Sequence, residues 1–166
     1  MSLSKAFLTS KSQYWETPNH IMNKFEKDYD IVFTRDLCAS DHNHKCPEYY
    51  TEKDDGLQQT WLLDNEYEAN FCNPPYGNGL VKQWVRRAWS LEQTTNTVLL
   101  LPINKCDQPW FHSFVVGNAL VLFVKGRIAF EEGGKSIKGN SQGSMLIAFG
   151  PSFKAGIGSF EQDKEM

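Results

Sequence analysis

Hydrophobic and polar positions along this chain follow two periods, one helical and one extended. Ile21, Met22 and Phe25 share a helical face. Thr17-Pro18 just before them predicts a helix start, with Thr17 as cap and Pro18 in the first helical position. The run Ile31-Val32-Phe33-Thr34 reads as a strand entering a loop at Asp36. Residues 39–59 have no clean period and are long for a structureless loop, which points to function or a short helix there. A short apolar step at 69–72 runs into Asn73-Pro74-Pro75-Tyr76-Gly77. Leu80, Val81, Trp84, Val85, Ala88 and Leu91 then keep helical spacing, with Lys82, Arg86 and Arg87 elsewhere on that helix. Residues 97–103 are continuously apolar, the mark of a strand buried on both faces. A further helix is expected at 109–116, and two strands, 119–124 and 127–130, around a Lys125-Gly126 turn. Residues 131–143, rich in Gly, Ser and Lys, are expected to be mobile. Residues 144–149 read as a last strand, with the end after Gly150 loosely held. Helices and strands alternate early and strands become hairpin-like late, so the class is α/β with a sheet mixed toward its C-terminal edge.

Composition narrows this to one folded domain. The 166 residues have a core expected at about 14–150, with 1–12 and 151–166 flexible. With 40% hydrophobic residues and a net charge of −3, neither disorder nor a strongly basic coat is indicated. No apolar run approaches the ~18–20 residues of a membrane helix, and the start has no secretory core. Four cysteines without such a signal suggest reduced thiols in a cytoplasm. The charge is unevenly spread: residues 48–68 carry seven Asp/Glu and one Lys, whereas 82–138 carry eight Lys/Arg and four Asp/Glu.

The most informative chemistry is in Asn73-Pro74-Pro75-Tyr76, where a predicted strand meets a predicted helix. Ligands of open α/β sheets bind at that edge. Two prolines hold the backbone extended and donate no N–H. The Asn73 side-chain oxygen and the Pro74 carbonyl can therefore both accept from one planar amino group, and Tyr76 offers a ring on which a flat base stacks. For an arbitrary Pro-Pro pair a plain polyproline turn is the ordinary reading. Cys38, His42, His44 and Cys46 invite a zinc reading. Four ligands within nine residues are tight for a tetrahedron, so no metal is assigned.

The ordered set Trp15-Glu16-Thr17-Pro18, Asp36-Leu37-Cys38-Ala39, Lys45-Cys46-Pro47, Asp54-Asp55-Gly56-Leu57, Trp61, Phe71 to Gly77, Trp84, Leu101-Pro102, Trp110-Phe111-His112 and Gly126-Arg127 resembles the phage DNA N-6-adenine methyltransferase family (phage Dam type). The resemblance runs from Tyr14 to about Gly150. It implies a compact Rossmann-like fold with a mixed, mostly parallel sheet and S-adenosylmethionine as cofactor. Transfer would go to the N6 amino group of an adenine flipped out of double-stranded DNA, with Asn73, Pro74, Pro75 and Tyr76 catalytic. It also implies a phage or prophage protein working in the cytoplasm of a bacterial host.

Cofactor contacts fall by the same resemblance on Trp15, Thr17, Pro18, Asp36, Cys38, Ala39, Asp54, Asp55 and Asn73, with Asp55 favoured over Asp54. A capped helix start near Thr17-Pro18 would offer N–H groups to a carboxylate. Only 37 positions separate Asp36 from Asn73 and no glycine-rich loop lies between them, so the cofactor half of the sheet is expected to be abbreviated. Lys82, Arg86, Arg87, Arg127, Lys135 and Lys138 are candidates for DNA phosphates, and Trp110 and His112 for the base pocket. A solvated surface charge is the plain reading of each cation, and core the plain reading of Trp110. RNA adenine or protein glutamine as substrate, or a non-catalytic cofactor- or DNA-binding module, are the alternatives.

Overall fold

The computed structural model describes residues 15–75, 79–137 and 140–163. Helix α1 (Asn19–Tyr29) buries Ile21, Met22 and Phe25, the face its spacing predicts. It closes at Asp30, whose φ of 52° lets its N–H reach Glu26 O. Its start differs from expectation. Pro18, in an extended conformation, is the N-cap, and no side chain caps the helix; Thr17 is buried instead. The proline sits one position earlier than its usual place, where its fixed φ still suits the turn into the helix.

Strands β1 (Val32–Asp36), β2 (Glu48–Tyr49), β3 (Glu68–Cys72), β4 (Thr97–Pro102), β5 (Leu120–Val124), β8 (Ser144–Phe149) and β9 (Gly156–Phe160) form one sheet in the order β2-β1-β3-β4-β8-β5-β9. Neighbours pair in parallel except β8, which runs antiparallel to both β4 and β5. The sheet is thus mostly parallel and mixed where the sequence pattern places the change. Helix α2 (Leu80–Ser90) follows β3, a 3-10 turn spans Gly56–Gln58, and the helix expected at 109–116 is a π-helical turn, Phe111–Val115.

Alternation along the strands sends side chains into two cores. Cys72, Leu99, Leu101, Val121 and Ile147 pack on α2 and the π-helical turn. Phe71, Val98, Leu100, Leu122 and Leu146 pack on the α1 side with Phe25 and Phe33. Full burial of one such side chain is worth about 1.5–3 kcal/mol, and that two-sided burial is why β4 is an uninterrupted apolar run.

Two expectations fail near the C-terminus. Residues 127–130 form no strand; Ile128 and Phe130 are buried as side chains of an irregular segment. The end after Gly150 is not loose: β9 pairs in parallel with β5 over five positions, and Phe160 is fully buried. Within 131–143, expected to be mobile, β6 (Glu131–Glu132) and β7 (Lys135–Ser136) form a short hairpin.

The strand order reverses between β1 and β3. From β1 the chain moves outward to β2, and from β3 it moves the other way to β4. The carboxyl ends of these two parallel neighbours therefore flank the crevice where open α/β sheets hold ligands.

Candidate functional site

Asp36 closes β1 opposite Phe71 of β3, and Leu37 N–H donates to Phe71 O at 2.9 Å. That register sets Asn73, two residues beyond Phe71, beside the loop that begins at Leu37. Asn73 is half-buried, and Pro74 and Pro75 are buried. Tyr76 and Lys138 lie outside the described residues.

Asp36 is buried and organises the loop after β1. Its Oδ1 accepts from Cys38 N–H at 3.3 Å and its Oδ2 from Lys45 N–H at 2.9 Å. Lys45 Nζ in turn donates to Asn19 Oδ1 at 3.1 Å, which ties this loop to the start of α1. Thr17, Pro18, Asp36, Cys38 and Ala39 are thereby drawn around one end of the sheet. Burial pushes the Asp36 carboxyl up to about 6, against the pull of its two backbone donors. Burial likewise pushes the Cys38 and Cys72 thiols up, so both are neutral thiols rather than nucleophiles. His44 Nδ1 bonds Cys46 O at 2.9 Å and its ring stacks on Tyr49 at 4.0 Å. Among the described residues no group of three His, Cys, Asp or Glu is arranged to hold a metal.

The two acidic candidates separate. The Asp54 carboxylate accepts from Thr51 N–H at 2.8 Å and Thr51 Oγ1 at 3.1 Å, closing an exposed turn. Asp55 stands at φ 55° with its Oδ1 buried and unpartnered among the described residues. It lines a small crevice with Leu37, Cys38, Thr51, Glu52, Gly56 and Trp84, and the buried Trp84 Nε1 there also has no partner among the described residues. A Cβ on Gly56 would lie 2.2 Å from Leu37 O, so only glycine lets this turn come so close to the end of β1.

Arg87 supports this turn and is not one of the outward cations expected from the sequence. Its guanidinium donates to the carbonyls of Gly56, Leu57 and Gln59 and lies over the Trp61 ring, 4.7 Å from the centroid. Trp61 Nε1 donates to Gly56 O at 2.8 Å and its ring stacks on Trp84. Partial burial lowers the Arg87 pKa, though a guanidinium stays charged at any ordinary pH. The reading of Arg87 as a phosphate contact gives way to that of a clamp on the 56–59 turn. Helical spacing alone could not separate it from its neighbour Arg86.

Lys82, in the first turn of α2, and Arg86 are exposed. Trp110 is 9% exposed and sits in the core edge-on to Phe111. His112 is exposed. Arg127 follows a turn at Gly126 (φ 80°) and is exposed; Gln162 Nε2 braces that turn by donating to the carbonyls of Lys125 and Arg127. Lys135 is exposed on β7. Trp15 packs on Phe130 with ring centroids 5.7 Å apart.

Glu16 and Gln162 carry contacts that the sequence pattern does not signal, because their partners are more than a hundred residues away. Phe123, on β5, is exposed although large and apolar.

No described helix is long and apolar enough to cross a membrane. A family profile described as DNA N-6-adenine-methyltransferase (Dam) matches residues 5–165. The chain is 30% identical over 158 residues to a DNA N-6-adenine-methyltransferase of Haemophilus phage HP1 (strain HP1c1), covering 92% of this chain and 86% of that relative.

Proposed function

On the premise that the chain belongs to the DNA N-6-adenine-methyltransferase (Dam) family and methylates adenine in DNA, we propose that S-adenosylmethionine binds at the β1/β3 crevice and that the target adenine is presented to Asn73. The observation that carries this reading is the register of β1 against β3, which sets Asn73-Pro74-Pro75 beside the loop after Asp36; the turn that carries Asp55 meets that same loop where Gly56 packs on Leu37 O.

The residues present fit such a cofactor. Asp55 Oδ1 is a buried acceptor in need of a donor, which a ribose hydroxyl or an amino group supplies. Gly56 keeps the crevice wall thin, and Arg87 fixes the turn that carries Asp55. The N-terminal amides of α1 lie next to the Lys45 loop and suit a carboxylate. When bound, S-adenosylmethionine supplies a methyl group on a sulfonium, an electrophile strong enough that no nucleophilic side chain is required.

Catalysis by this chain is then alignment and polarisation. Asn73 Oδ1 and the Pro74 carbonyl accept from the adenine N6 amino group and draw its lone pair out of conjugation with the ring. The cofactor would supply its sulfonium methyl to that nitrogen, and the displaced amino proton would leave to water. Tyr76 stacks on the base once it is flipped from the duplex. Lys82, Arg86 and Lys135 supply positive charge for the DNA backbone.

Transfer of labelled methyl groups to duplex DNA tests this. Asn73→Ala and Tyr76→Ala should both lose transfer while keeping the fold, and Tyr76→Phe should keep a good part of it. Full activity of Asn73→Ala would refute the assignment.

A further inference from the structure

The carboxyl ends of β4 and β5 and the start of β8 meet in a cleft of about 230 Å³ that the proposed transfer step leaves unused. Ile103, Phe123, Val124, Arg127, Gly143 and Ser144 line it. Ile103 and Phe123 are 39% and 38% exposed, although both are large and apolar. Arg127 has no hydrogen bond or ion pair to its guanidinium among the described residues. A Cβ on Gly143 would lie 2.8 Å from Ile103 Cδ1 and 3.0 Å from Arg127 Nη1, so the ends of both side chains converge over this glycine.

Size and position limit the occupant. Sites that take whole ligands run to about 300–1,000 Å³, so this cleft suits one flat ring system rather than a cofactor. It opens at the same sheet edge as Asn73, over strands one to three places from β3. At about 4.8 Å per strand that is roughly 5–15 Å from the target position, or about one to four base steps at 3.4 Å each. A phosphate fits poorly, because apolar walls would strip its water without replacing it. A base fits on both counts: its faces are apolar and its edge carries acceptors.

Resting on the reading that the chain methylates DNA adenine, we infer that this cleft receives one base flanking the target. Ile103 and Phe123 cover its face and the Arg127 guanidinium donates to acceptors on its edge. Arg127 is then a specificity-determining residue and not a phosphate contact.

Duplexes carrying one adenine between randomised flanks, methylated by the full-length protein and sequenced for N6-methyladenine, test this. The wild type should prefer one base at one flanking position by on the order of 10- to 100-fold, the discrimination of a bidentate contact. Arg127→Ala and Arg127→Lys should both flatten that position, with the ranking at other positions as in the wild type. Arg127→Lys keeps the charge, so its salt dependence should match the wild type. Phe123→Ala should weaken the same position. A wild type without flanking preference overturns the inference. So does Arg127→Ala lowering methylation equally on all flanks with a shallower salt dependence, the pattern of a phosphate contact. A wild type that methylates no DNA overturns the underlying reading instead, and is distinguished because no signal is left to rank.

Discussion

Glu16 and Glu131 exchange both of their backbone hydrogen bonds, Glu16 N–H to Glu131 O at 2.7 Å and Glu131 N–H to Glu16 O at 2.9 Å. The Glu16 side chain adds a third, accepting from Gly133 N–H at 2.7 Å. The segment leading into α1, at the proposed cofactor crevice, is thus fastened to the β6–β7 hairpin, which carries Lys135. Glu16→Ala removes only the side-chain acceptor, a loss of about 0.5–1.5 kcal/mol at an exposed site. The expected result is faster hydrogen exchange at the Gly133 amide with little change in the global unfolding midpoint; Glu16→Gln keeps an acceptor and should restore most of the protection.

Arg87 and Arg86 are neighbours with opposite expected phenotypes. Arg87→Met strips three carbonyls of a charged donor and uncovers Trp61, at a cost of about 2–3 kcal/mol in urea unfolding, with weaker cofactor binding as the 56–59 turn loosens. Arg86→Ala and Lys82→Ala, both at exposed positions, should stay within about 0.5 kcal/mol of wild-type stability. Each should lower DNA affinity and reduce the salt slope by about one. Loss of stability in Arg86→Ala, or none in Arg87→Met, would reverse the two roles.

Asp55 and Asp54 should also part. Asn tolerates the left-handed backbone at Asp55, so Asp55→Asn changes the charge and leaves the turn intact. Calorimetry with S-adenosylmethionine should give affinity weakened about 10-fold or more, the scale of one charge-assisted hydrogen bond. Asp54→Asn should leave that affinity near wild type and act only on the Thr51 turn.

The pH dependence of stability should carry the mark of Asp36. Its carboxyl titrates near 6 in the folded protein against an ordinary 3.8, because burial opposes its charge. The folded state holds this proton more tightly than the unfolded chain. The group's stabilising effect is therefore complete below about pH 4 and lost as pH rises through 6. Relative to Asp36→Asn, which does not titrate, wild-type unfolding free energy should fall by up to about 3 kcal/mol between pH 4 and 6.5 and then level off. A difference that grows with pH over that window would contradict the buried site.

The sequence by itself determined the parts whose signal is local. Helical spacing carried the buried faces of α1 and α2, the unbroken apolar run carried β4, and the ordered motifs around Asn73 carried the family and its chemistry. Tertiary structure decided what depends on distant partners. Arg86 and Arg87 have the same side chain one position apart, and only the 56–59 turn, some thirty residues upstream, made one a clamp. Asp54 and Asp55 differ because Thr51 satisfies one carboxylate and burial isolates the other. Strand β9 has no local sequence signal, because Gly156, Ile157, Gly158 and Ser159 give no alternating apolar pattern; it is held by its backbone bonds to β5, and side-chain periodicity does not register backbone pairing across thirty-six residues.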